Sequence, residues 1–168
     1  CIHGDYARAL ELIDSALDVG ARSSKARTLK AYILRKLGRP GEAEAELDRA
    51  VEYDPLDVWS VAERCFLQGK ASSALEAMEH NRGDKLQQMR DVVTDYGRRG
   101  ATEEALAMLS QAETSAGPYA SPLVLYYAGY HHPNLGDTEK ARALFDRAAA
   151  MPTDCCFPFR HETLPVLS

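Results

Sequence analysis

Five side chains of metal-ligating type fall towards the C-terminal end of this chain: His131, His132, Cys155, Cys156 and His161. Thiolate and imidazole are the ligands zinc prefers, so a zinc centre is the first chemistry to weigh. The spacing argues against it. Adjacent residues on a helix point about 100° apart, so His131 and His132 do not readily share one ion. No Cys-x-x-Cys or His-x3-His pair occurs anywhere in the sequence. Cys155 and Cys156 read instead as small apolar residues packed at a final turn. Hydrolytic chemistry fares no better, because Ser, His and Asp are present without a nucleophile-elbow glycine pattern, and no phosphate-cradling glycine loop accompanies them. Glu103 and Glu104 are a candidate carboxylate pair, but beside Ala101 and Thr102 they suit the first turn of a helix, where negative charge favours the dipole. Trp59 opens a helix and reads as a packing anchor. The expectation is no catalytic residue, no metal and no cofactor.

Charge narrows the partners. The 168 residues carry 20 Lys and Arg against 25 Asp and Glu, a formal net charge of −5, which supplies no electrostatic footprint for nucleic acid or an anionic membrane. No window approaches the roughly 18 to 20 apolar residues of a membrane span. The four cysteines, Cys1, Cys65, Cys155 and Cys156, have no regular spacing, and the last two are neighbours, so they read as reduced thiols of a cytoplasmic protein.

The elements that would position any site are announced by a repeat. Gly4, Gly38, Gly69, Gly100 and Gly136 are each followed five residues later by alanine, at Ala9, Ala43, Ala74, Ala105 and Ala141. A second alanine follows seven residues on at Ala16, Ala50, Ala112 and Ala148, and between them stand Ile13, Leu47, Met78, Leu109 and Phe145. Seven residues make two helical turns, so both alanines lie on one stripe, where a small side chain lets two helices approach closely. The glycine supplies the left-handed backbone that ends the preceding helix. In the clearest unit, Ser24 to Asp57, Pro40 suits a first helical turn, Pro55 bars continuation of the second helix, and Asp57 caps the helix beginning at Val58.

These residues resemble tetratricopeptide repeats: Gly38, Ala43, Leu47, Ala50 and Pro55 match the family's glycine, its two small residues, the large one between them and its closing proline. The resemblance implies an all-α chain, an α-α superhelix built as a solenoid of antiparallel helical hairpins. It places a partial repeat at 1–23, repeats at about 24–57, 58–85, 86–119 and 122–153, and the start of a further helix at 158–168. The unit at 58–85 is irregular, with a first helix about one turn short and a turn at Asn81-Arg82-Gly83-Asp84. Pro133 should end its helix near His131. The stretch Glu113 to Ser121 reads as the longest and most mobile loop. Gly4 and Asp5 read as a turn between two helices, so the chain reads as a fragment of a longer polypeptide.

In such a solenoid the first helix of each hairpin lines the concave face. Its outward positions here are Lys25, Thr28, Tyr32, Arg35 and Lys36, then Gln87, Arg90, Thr94 and Arg98, then Tyr126 and Tyr130. Arg binds carboxylates in bidentate fashion and Tyr offers rigid contact area, so Tyr32, Arg35, Lys36, Arg90, Arg98, Tyr126 and Tyr130 are the candidate groove residues for a protein or peptide. Family members that grip a C-terminal carboxylate use an asparagine in their clamp, and none stands at Tyr32, Thr94 or Tyr130. The function implied is a non-catalytic interaction or scaffold module. A narrower likeness, carried by Asp54-Pro55-Leu56-Asp57-Val58-Trp59 and Cys155-Cys156-Phe157-Pro158-Phe159-Arg160, is to repeats that follow a carbohydrate-enzyme-like domain in some multidomain bacterial proteins. It implies the alternative of a C-terminal appendix packed on another domain of the same polypeptide.

Overall fold

A computed structural model describes residues 5–78, 84–115 and 121–152. Every regular element among them is helical. The chain divides into two compact units, residues 1–83 and 84–168. The Asn81 to Gly83 turn, the 116–120 stretch and everything after Pro152, including Cys155, Cys156, His161 and the 158–168 run, lie outside the described residues.

The first unit holds α1 (Tyr6–Val19), α2 (Ser24–Lys36), α3 (Pro40–Tyr53), α4 (Val58–Leu67) and, after a 3₁₀ turn at Ala71–Ser73, α5 (Ala74–Met78). Local chemistry sets each boundary. The carboxylate of Asp5 accepts from the Arg8 N–H, and the Ser23 hydroxyl accepts from the Ala26 N–H at 3.2 Å. Pro40 occupies the first turn of α3, where its missing N–H costs no hydrogen bond. The second unit holds α6 (Lys85–Arg98), α7 (Thr102–Thr114), α8 (Pro122–His131) and α9 (Thr138–Ala149). Since Pro133 has no N–H to give the Gly129 carbonyl, α8 ends at His131 and the chain passes through a 3₁₀ turn, His132–Leu135.

Each hairpin turns in the same way. Gly38, Gly69, Gly100 and Gly136 all hold φ between 69° and 79°, the left-handed region closed to most side chains. The next N–H then reaches back five residues: Arg39 to the Leu34 carbonyl, Lys70 to Cys65, Ala101 to Tyr96 and Asp137 to His132, at 2.8 to 3.2 Å. Such a bond closes the helix end and aims the chain at its antiparallel partner.

The seam predicted from the alanines is the core. Ala43, Leu47 and Ala50 of α3 are wholly buried, as are Ala105 and Leu109 of α7. In the first unit Ala43 and Leu47 pack on Ala31 and Leu34 of α2. Full burial of a leucine such as Leu34 or Leu47 contributes about 2 kcal/mol. In the second unit glycine takes the small-residue role further. A Cβ on Gly97 of α6 would come within 2.2 Å of the His131 ring on α8, and one on Gly129 within 2.5 Å of the Phe145 ring on α9. Rings from neighbouring helices therefore occupy the space that side chains at these two glycines would need.

A buried polar knot ties α2 to α4. The Asp57 carboxylate, itself the cap of α4, accepts hydrogen bonds from Ser24 at 2.6 Å, Thr28 at 3.1 Å and Ser60 at 2.6 Å, while its other oxygen accepts from the Trp59 N–H. Thr28 and Ser60 also meet each other at 2.7 Å. Replacing Asp57 by Ala removes a cap and strands buried hydroxyls, so it should lower unfolding free energy in urea by about 2–3 kcal/mol. Asp84→Ala, which removes only the exposed cap of α6, should lower it by about 1 kcal/mol.

Candidate functional site

The first unit presents α2 and α4 side by side, and the candidate residues of α2 have three different fates. Tyr32 is fully buried: its ring takes the edge-to-face neighbour Tyr6 at 6.2 Å, with the Arg35 guanidinium 5.5 Å and the Lys36 ammonium 5.6 Å from its centre. The expectation of an outward tyrosine fails because α1 places an aromatic ring against that position. Thr28, also expected to face outward, is buried in the Asp57 knot. Arg35 is spent inside the protein. Its Nε and Nη2 meet the two carboxylate oxygens of Glu63 at 2.6 and 3.3 Å, and Glu63 is wholly buried. Lys36 is exposed at the last turn of α2.

At the other end of the same stripe, exposed Lys25 holds its ammonium 4.6 Å from the centre of the half-buried Trp59 ring on α4. Positions 25, 29, 32 and 36 fall on one face of a helix, so Lys25, Leu29 and Lys36 line it above the buried Tyr32. On the opposite flank the basic side chains are paired. Glu46 of α3 takes Arg27 at 2.7 Å, Lys30 at 3.1 Å and Arg49 at 3.2 Å, and Lys30 also reaches Asp14 of α1 at 2.8 Å. Burial opposes the charge on Lys30, but Asp14 and Glu46 hold its ammonium above the ordinary lysine value.

The second unit divides its candidates in the same manner. Arg90 is buried and donates to the Gln87 side chain, which corrects the reading of an outward arginine; it lies in the mid-helix stretch with Met89, Val92 and Val93, all wholly buried. Arg98 is exposed at the end of α6, Thr94 is half-buried, and Tyr126 is half-buried and stacked on Phe145 at 6.1 Å. Tyr130 is exposed and meets the His131 ring edge-on at 5.4 Å. The two adjacent histidines part company, as their positions on a helix demand. His131 is buried against Gly97 with neither ring nitrogen hydrogen-bonded, whereas the Nδ1 of His132 lies 3.8 Å from Asp137. Burial, with the neighbouring His132 adding to it, pushes His131 down to about 4. Burial of the Cys65 thiol pushes it up, the reverse of what a reactive cysteine needs.

Repetition of one turn, one seam and one small-residue stripe is thus present in both units. Two family models described as tetratricopeptide repeat match residues 2–65 and 93–154. The chain belongs to the tetratricopeptide repeat family. No curated protein matches it. Tetratricopeptide repeats are generally protein-interaction scaffolds and generally non-catalytic. No helix of the described residues is long and apolar enough to cross a membrane.

Reading the repeat from sequence missed Glu63, the Asp57 knot and the Lys25–Trp59 pair. A signal existed for the last two, since Ser23 and Asp57, the caps of α2 and α4, stand 34 residues apart, about one repeat, as do Lys25 and Trp59. None existed for Glu63.

Two outcomes follow from this geometry. Arg35→Ala takes the guanidinium from a buried carboxylate and should destabilise the protein by roughly 3 kcal/mol in urea, whereas Lys36→Ala should change stability by less than about 0.5 kcal/mol. His131 is depressed in the folded state, so its contribution to stability is complete above the ordinary value of 6.5 and is lost as pH falls through about 4. Between pH 7.5 and 5.0 the wild type should lose roughly 2 kcal/mol more than His131→Leu, measured from urea midpoints.

Proposed function

We propose that the tetratricopeptide stack acts as a scaffold whose α2–α4 face takes a carboxylate-bearing peptide segment. One observation carries the reading: within an acidic protein, Lys25 and Lys36 are exposed on a single helical stripe, with the half-buried Trp59 ring beside the first. Eleven residues of helix separate the two ammonium groups, about 16 Å along the axis, a distance that an extended peptide spans in about five residues. The fitting ligand therefore carries acidic groups about five residues apart with an apolar side chain that meets the Trp59 ring. Arg35 stays out of this contact because Glu63 already holds it. A segment from another domain of the same polypeptide would meet the face by the same chemistry. Arg98 and Tyr130 remain exposed candidates of the second unit, to be tested separately.

The experiment is a calorimetric titration with a six-residue acidic peptide, Glu-Ala-Leu-Ala-Ala-Glu, and its Gln-for-Glu counterpart. Binding should be saturable for the acidic peptide, weaken with added salt, and fall at least about tenfold in Lys25→Glu/Lys36→Glu. Equal binding of the two peptides, or full affinity in the double variant, overturns the proposal.

A further inference from the structure

The seam residues of α1 break the pattern that α3 and α7 keep. At the positions equivalent to Ala43, Leu47 and Ala50, all wholly buried, α1 carries half-buried Ala9, half-buried Ile13 and exposed Ala16. Leu12 beside them is 58% exposed. An open groove of about 450 Å³ runs along this face, lined by Asp5, Arg8, Ala9, Leu12 and Ile13 of α1 and by Leu29 and Ile33 of α2.

The other hairpins say what belongs there. The seam of α3 is closed by α2, through Ala31 and Leu34. The seam of α7 is likewise faced by α6, and that of α9 by α8. In each case a first helix precedes the second in the same polypeptide and passes to it through a left-handed glycine: Gly38, Gly100 and Gly136. Gly4 occupies that register ahead of α1, five residues before Ala9, as Gly38 stands before Ala43. The groove on α1 therefore continues the stack's own helix-to-helix interface. Its walls are mainly aliphatic, with Asp5 and Arg8 at one end, which suits an amphipathic helix bearing a small residue and a leucine three apart, as Ala31 and Leu34 are in α2.

We infer that α1 is the second half of a repeat whose first helix, carried by the same polypeptide ahead of Gly4, seats in this groove. A protein of matching design tests it: the sequence Ser24–Leu37, the chain's own first-type helix, is joined ahead of Gly4 in place of residues 1–3. The extension should raise the Tm by roughly 5 °C or more and should shift the methyl resonances of Ile13, Leu29 and Ile33. Ile13→Glu, which places a charge in the seam, should abolish that gain, while Lys36→Glu on the α2–α4 face should leave it intact. No gain in Tm on extension, or a gain that survives Ile13→Glu, overturns the inference. So does sedimentation showing that the 168-residue chain self-associates through this face, with Ile13→Glu restoring the monomer, because the occupant is then a second copy. Peptide titration at Lys25 and Lys36 reads a different face, so failure there and failure here are distinguishable.

Discussion

Close approach of two helices at a stripe of alanine is the constraint on which the rest of this structure depends. Ala43 and Ala50 flank Leu47 on α3, and all three are removed from water by the helices around them. A larger residue at either alanine would push the pair apart and open a void beside the leucine, and filling or emptying a packed seam destabilises in either direction. The glycines serve the same constraint from the turn. A left-handed residue with the five-residue reach-back of Arg39 to Leu34 sends the chain straight back, so that the seams meet without a long loop. Where alanine is still too large, as at Gly97 and Gly129, the partner helix fills the space with a ring.

Much of the fold was legible because these devices are local. Glycine, alanine and a large apolar residue at fixed spacing, Pro40 at a helix start, Asp57 at a cap and Pro133 past a helix end each act within a few residues of themselves. The candidate face was harder to read. Assigning Tyr32 and Arg90 outward assumed that polar character follows the helical period, yet Tyr6 packs on the first and the surrounding apolar turns cover the second. Arg35 and Glu63 are 28 residues apart in sequence, and nothing in either local stretch distinguishes a buried ion pair from two solvated charges. The open seam of α1 was more legible: Gly4 and the alanine stripe mark 1–23 as a partial repeat, and the exposure of Leu12 and Ala16 adds that its seam lacks a mate among the described residues.

Charge is distributed with the same economy. Arg27, Lys30, Arg35 and Arg64 of the first unit reach carboxylates of a neighbouring helix: Glu46 gathers Arg27 and Lys30 along with Arg49 of its own helix, and Arg64 reaches both Glu44 and Asp48. These pairs fix the register of one helix against the next. They also silence the surface, because a cation already held by a buried carboxylate offers a ligand little. In the proposed binding mode a short exposed stripe meets the partner, and specificity from so few groups comes from their separation along the helix as much as from their sign.

The Asp57 carboxylate, shared by hydroxyls of α2 and α4, has a further effect on how the first unit comes apart. A solenoid whose repeats touch only through apolar seams behaves as a row of weakly coupled elements that can peel from an end. Here a single oxygen belongs to two repeats at once, so parting α2 from α4 takes the hydroxyls of Ser24 and Thr28 from the Asp57 carboxylate and breaks the contact of Thr28 with Ser60. The two repeats are thereby bound into one cooperative block, and the number of repeats at this point cannot be altered by a clean insertion or deletion between them.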